Sequence, residues 1–170
     1  MVSNHQSHLD PPIVGLGCSR RMNYLARDTL FRFPPFRWLI KSLDAIPIDR
    51  EGLGLSGIKE SLRRLKRGEV VLVFPEGTRT VNGEIQPFLP GFTALAVRSG
   101  AAILPAAIEG AYQAWPSGRR FPQAGTIYVQ YGPPILPDQL KALSERDLLH
   151  EVERRVRACQ AALRAQRKFR

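Results

Sequence analysis

The chain has 170 residues, 44% of them hydrophobic and 24% charged, the composition of an ordinary folded domain, which excludes a disordered or low-complexity chain. Lys and Arg number 25 against 15 Asp and Glu, a net charge of +10 that favours an anionic partner: nucleic acid, an anionic membrane surface or a phosphorylated substrate. Two cysteines, Cys18 and Cys159, are too few for a disulfide framework or a zinc knuckle, and no apolar run approaches the ~20 residues that span a bilayer.

In chain order, the first element expected is a helix opening at Asp10, where Pro11 and Pro12 suit an N-cap followed by proline in the first turn. "MNYLA" (Met22 to Ala26) and "AIPI" (Ala45 to Ile48) read as short buried strands. Between them, "TLFRFPPFRWLIK" (Thr29 to Lys41) interleaves Phe31, Phe33, Phe36 and Trp38 with Arg32, Arg37 and Lys41. That mixture suits either a core-packing helix-turn with a basic outer face or a bilayer interface. "GLSGIKESLRRLKRGE" places Leu55, Ile58, Leu62 and Leu65 on one helical stripe and stops at Gly68.

"VVLVF" (Val70 to Phe74) is the clearest strand, apolar on both faces. "GFTALAVRSG" reads as a helix burying Phe92, Leu95, Ala96 and Ser99. "AILPAAI" (Ala102 to Ile108) and "TIYVQY" (Thr126 to Tyr131) read as two further strands. A long C-terminal helix capped by Ser144 carries a stripe of Leu148, Leu149, Val152, Val156 and Ala162. From Lys141 onward, nine Lys and Arg stand against four Asp and Glu. The alternation predicts one α/β domain over residues 1–170, with a mostly parallel central sheet flanked by helices.

Two motifs carry the chemistry. In "NHQSHLD", His5 and Asp10 have four residues between them. A loop running into the helix at Asp10 brings the imidazole back over the carboxylate, which fixes its tautomer and stabilises the imidazolium. His5 is then a general base, although this spacing alone also fits a polar turn with a surface histidine. In "VVLVFPEGTRT", a buried strand ends and the chain turns through Pro75, Glu76, Gly77 and Thr78 to Arg79. The carboxyl end of such a strand is where open α/β sheets bind ligands. Gly77 permits close backbone approach, and Arg79 offers a planar fork for phosphate.

"NHQSHLD" followed by "AIPIDR", "FPEGTR" and "AAILPAAIEG", in that order from Asn4 to about Gly110, resembles the four sequence blocks of the glycerolipid acyltransferase family. Its best-known members are the 1-acylglycerol-3-phosphate acyltransferases (PlsC-like). The resemblance implies a glycerol-3-phosphate acyltransferase-like fold. It also implies acyl transfer from acyl-CoA or acyl carrier protein to the free hydroxyl of 1-acylglycerol-3-phosphate, giving phosphatidic acid; the alternatives are another lysolipid acceptor or a catalytically weak, lipid-binding remnant of the same fold. By this resemblance His5 is the base and Asp10 its orienting partner, while His8 falls at a variable position.

It further implies that Arg79 holds the acceptor phosphate. Glu76, Gly77 and Thr78 shape that loop, with Glu76 holding Arg79 or nearby amides. Asp49 and Arg50 line the acceptor side, and Pro105 shapes a pocket wall. No metal or cofactor is expected. The expected partners are the lysophospholipid, the acyl donor (acyl carrier protein among the candidates) and an anionic membrane surface, with no nucleic acid. The expected location is peripheral, on the cytoplasmic face of the membrane. One departure stands out: family members often carry a Phe-Lys-rich stretch after "FPEGTR", where this chain has Leu89 and Pro90.

The region after about Tyr131 carries no motif and is expected to be scaffold. Met1 sits three residues before Asn4, where the family has an upstream strand and membrane-associated helices. The domain is therefore expected to be truncated at its N-terminus, with a catalytic loop that frays.

Overall fold

The computed structural model describes residues 1–20, 22–27, 45–48 and 55–168. The segment Thr29–Lys41 and the pair Asp49 and Arg50 lie outside the described residues. Six strands are present among those described: β1 (Val2–Ser3), β2 (Met22–Arg27), β3 (Ala45–Ile48), β4 (Val70–Leu72), β5 (Pro105–Glu109) and β6 (Tyr128–Tyr131). The helices are α1 (Asp10–Leu16), α2 (Leu55–Lys66), α3 (Gly91–Ser99), α4 (Ala111–Ala114), α5 (Pro137–Lys141) and α6 (Glu145–Lys168).

The strands form two groups, β3-β2-β4 and β1-β5-β6. A parallel bridge between Val2 and Val73 joins them, so the order across the sheet is β3-β2-β4-β1-β5-β6. All pairings are parallel except β5 with β6, which closes one edge. This is the expected mostly parallel sheet. Successive residues of β5 point to opposite faces: Ala107 packs in the core under α3 and α6, and Ile108 in the core under α1. Both faces are covered, which is why the strands read as unbroken apolar runs.

α6 closes one face with Leu148, Val152, Val156, Cys159 and Leu163, all buried. The first three are fully buried, and each such side chain stabilises the fold by roughly 1.5–3 kcal/mol. Two of the expected stripes are rotated. On α6 the seam runs through Leu163, and Ala162 faces out, because the steps of three and four residues from Val156 pass through Cys159. On α2, Gly57 and Ser61 are buried while Ile58 is exposed; the Ser61 hydroxyl donates to the Gly57 carbonyl at 2.7 Å and so needs no outside partner. Ser144 caps α6 as expected, its hydroxyl accepting from the Asp147 amide at 3.1 Å. None of the described helices is long and apolar enough to cross a membrane.

The largest departure is β1. The expected fraying is not what the structure shows: Val2 and Ser3 are buried in the middle of the sheet. The Val2 amide donates to the Leu104 carbonyl at 2.9 Å and the Ser3 amide to Val73 at 3.1 Å. The Val73 amide returns a bond to the Met1 carbonyl at 3.0 Å. A segment bonded on both sides is held by its neighbours, whatever its length.

Candidate active site

In a parallel sheet the carboxyl ends of the strands share one edge. Here the loop from Asn4 to Asp10 after β1, the turn from Phe74 to Thr80 after β4, and Glu109 at the end of β5 lie on that edge. Asn4 carries β1 into its loop. Its side chain takes the place of a backbone ladder, with Nδ2 donating to the Ile108 carbonyl at 3.0 Å and Oδ1 accepting from the Ile108 amide at 2.8 Å. The main chain is thereby released from the sheet while still pinned to β5.

The released loop folds over Asp10. One carboxylate oxygen, Oδ2, accepts from the Gln6 amide at 2.5 Å, from the Ser7 amide at 2.8 Å, and from His5 Nδ1 at 2.7 Å. Asp10 is fully buried, and its other oxygen, Oδ1, has no hydrogen-bond partner among the described residues. The sequence placed Asp10 as the N-cap of α1. The structure makes Leu9 the cap and Asp10 the first helical residue, with the carboxylate turned back to the upstream amides instead of forward into the helix. Three donors on one oxygen outweigh a single forward cap bond.

With Nδ1 committed to the carboxylate, the neutral imidazole carries its proton there and keeps the Nε2 lone pair for substrate. Phe74 fixes the plane of the ring, stacking on it with centroids 4.1 Å apart and planes 14° apart. The backbone of His5 is held as well. Its amide donates to Glu76 Oε1 at 2.7 Å, and its carbonyl accepts from the Thr80 amide at 2.8 Å. The second Glu76 oxygen accepts from the Gln86 amide at 2.7 Å. Glu76 thus laces three loop segments together. Its burial pushes the carboxyl up to about 7, against the pull of the two amides. The arrangement fixes the tautomer, ring plane and backbone of His5.

The family described as Acyltransferase matches residues 1–109. The chain belongs to the acyltransferase family. It is 33% identical over 132 residues to the 1-acyl-sn-glycerol-3-phosphate acyltransferase of Bacillus subtilis, a match covering 77% of this chain and 63% of that one. To the enzyme of the same name from Pseudomonas aeruginosa it is 37% identical over 136 residues, covering 78% and 52%. The crystal structure of the 1-acyl-sn-glycerophosphate acyltransferase PlsC from Thermotoga maritima superposes with a TM-score of 0.80 at 30% identity, covering 95% of this chain and 64% of that one. The chain therefore spans between half and two-thirds of the length of these relatives.

The acyltransferase fold brings some of the sequence-derived residues together and sets others apart. His5, Asp10 and Glu76 form one hydrogen-bonded unit, with Glu76 holding the amides of His5 and Gln86. Gly77 adopts φ +68, a left-handed conformation that favours glycine, and an added Cβ would lie 2.9 Å from Leu89 Cδ1. Thr78 is exposed and Arg79 half-buried on the same turn.

Arg79 lies near enough to His8 to act on its charge. Burial first, then the charges of Arg79 and His5, lower the His8 pKa to about 4. His8 is thus neutral at pH 7, packed at a tilt against Trp115 with centroids 5.6 Å apart. Pro105 opens β5 opposite Val2, at the start of the strand that ends at Glu109, and packs near Gly132. It stands at the other end of the strand from the His5 loop. Four contributors went unnoticed in the sequence: Phe74, the amides of Gln6 and Ser7, and Thr80. Phe74 reads as an ordinary strand end, and backbone amides have no sequence signature.

Proposed function

We propose that this acyltransferase moves a fatty acyl group from a thioester donor, acyl-CoA or acyl carrier protein, to the free hydroxyl of 1-acylglycerol-3-phosphate, giving phosphatidic acid. The observation that carries this reading is the His5–Asp10 pair, locked at Nδ1 on the ligand-binding edge of the sheet. The names of the relatives at 33% and 37% identity support the choice of acceptor.

His5 Nε2 takes the hydroxyl proton as the oxygen attacks the thioester carbonyl. The new C–O bond forms, the C–S bond breaks, and the leaving thiolate takes the proton back from the imidazolium. Asp10 stabilises that imidazolium through a charge-assisted bond. No acyl-enzyme is needed, since holding both substrates at one site supplies much of the rate. Arg79, beside His8, binds the acceptor phosphate, and the sequence resemblance gives Asp49 and Arg50 a part in acceptor binding. Thr78 and Gly77 give the turn its close approach to the headgroup. The reaction needs no metal or cofactor. We place the protein peripherally on the cytoplasmic face of an anionic membrane, where acceptor and product reside and where the +10 charge favours binding.

An acceptor panel tests the reading. Thiol release from palmitoyl-CoA, and from palmitoyl-acyl carrier protein in parallel, is followed with lysophosphatidic acid, lysophosphatidylethanolamine and lysophosphatidylcholine. The reading expects lysophosphatidic acid to give the highest kcat/KM, and Arg79→Ala to raise its KM. Equal rates with all three acceptors would overturn the phosphomonoester assignment.

A further inference from the structure

We propose that Glu109, Gln160 and Arg164 are positioning residues for His5, so that the C-terminal helix, motif-free in the sequence, is part of the catalytic apparatus. This rests on the reading of His5 as the general base.

Glu109 ends β5 and is buried, a charged group that the mechanism above leaves unused. Its Oε2 accepts from Gln160 Nε2 at 2.9 Å and from Arg164 Nε at 3.1 Å, both on α6. The same oxygen accepts a long bond from Gln6 Nε2 at 3.5 Å. Arg167 lies 3.9 Å from the other oxygen. Arg164 also spans to the loop after the catalytic turn, with Nη1 bonding both Glu84 oxygens at 3.0 Å.

The Gly83 carbonyl is the shared acceptor at the centre. Gln6 Nε2 donates to it at 3.2 Å, Gln160 Nε2 at 3.3 Å and Arg164 Nη2 at 3.2 Å. Two routes run from this cluster to His5. Gln6 is the neighbour of His5, and its amide is one of the three donors on Asp10 Oδ2. Its side chain is gripped by Glu109, Gly83 and, through Oε1, the Tyr112 amide at 3.2 Å. The second route passes from the Gly83 amide to Thr80 Oγ1 at 3.1 Å, and from the Thr80 amide to the His5 carbonyl at 2.8 Å.

A buried carboxylate is stable only when its donors are in place. The cluster therefore holds only when α6, the 80–84 loop and Gln6 are all seated. Gln6, whose backbone anchors His5 and Asp10, shares the acceptors of its side chain, Glu109 and the Gly83 carbonyl, with Gln160 and Arg164 of α6.

Arg164→Met is the primary test variant, since Arg164 is half-buried at the rim of the cluster and its loss leaves the apolar seam of α6 intact. Glu109→Gln is the second. Arg154→Met is the control: it removes the same charge from the same helix, but its partner Glu151 lies on α6 itself. Hydrogen–deuterium exchange of the unliganded protein is read first, because it does not depend on activity. Arg164→Met is expected to raise exchange in peptides covering residues 4–12 and 76–86, with Arg154→Met silent there.

In the thiol-release assay, Arg164→Met is expected to lower kcat about ten- to a hundredfold with KM within about twofold, since small misplacements of a catalytic group cost rates of that order. Arg164→Lys should recover part of the loss. Exchange changes confined to α6, or kcat at the wild-type level, would overturn the proposal. A wild-type chain that transfers no acyl group would instead count against the acyl-transfer reading, and the exchange data alone would then decide the network.

Discussion

Asp10→Asn isolates what the carboxylate does for His5. The carboxylate oxygen Oδ2 faces three donors, so the single oxygen of asparagine must occupy that place and its NH2 must take the place of Oδ1. Position and tautomer of the imidazole then survive. What disappears is the negative charge 2.7 Å from Nδ1, which matters only when the ring is protonated during the reaction. Removing such stabilisation from a transition state costs about 10²–10⁴ in rate, equivalent to ~2.7–5.5 kcal/mol.

The fold suffers less. The buried NH2 stands where Oδ1 has no partner among the described residues, an unsatisfied group worth ~1–3 kcal/mol. The assay is acceptor-dependent thiol release below the melting temperature of the variant, with kcat and KM determined separately. We expect kcat to fall by at least about a hundredfold at nearly constant KM, in line with a transition-state interaction. A folded variant with kcat within about threefold of wild type would refute the role of the charge, because leverage that small is below the range of an orienting carboxylate.

Three further outcomes follow from the same geometry. Phe74→Leu removes the ring stacked on His5 at 4.1 Å and should lower kcat about tenfold while leaving the melting temperature nearly unchanged; an unaffected kcat would show that the stack does not orient the base. Asn4→Ala leaves the amide and carbonyl of Ile108 without their buried partners at 2.8 and 3.0 Å, a loss of ~2–6 kcal/mol over the two groups that a urea titration would detect. An unchanged urea midpoint would show that β5 does not need the Asn4 side chain.

His8 binds a proton less readily when folded, at about 4 instead of 6.5, so between those values the unfolded chain holds more protons and stability falls as pH drops. His8→Asn should flatten that part of the acid decline between pH 6.5 and 4. Parallel curves for variant and wild type would contradict it.

The sheet was legible because its central strands, β4 and β5, are largely buried. Runs such as Val70 to Phe74 carry no polar residue, and Gly or charge bounds them. The exception was β1. Two residues have no period to read, and Val2 and Ser3 are a strand only because β4 and β5 offer bonds on either side. The contact between His5 and Asp10 was legible for a different reason: both lie within one short loop, whose spacing allows them to meet.

Long-range partners left no local trace. Glu76 meets the amide of His5 at a sequence separation of 71, and Glu109 meets Arg164 at a separation of 55. Asp10 was misread as a forward cap because Pro11 and Pro12 mark a helix start but do not say which way a carboxylate turns. The region after Tyr131, read as scaffold, does supply the core seam of α6, but Gln160 and Arg164 extend it to the site.

The most direct test of the central claim is thiol release from palmitoyl-CoA and palmitoyl-acyl carrier protein, with and without lysophosphatidic acid, for the wild-type chain and for His5→Ala. The account predicts release that requires the acceptor, with phosphatidic acid as product, and its loss by at least about a hundredfold in a folded His5→Ala protein. Acceptor-dependent release that survives in His5→Ala would contradict it.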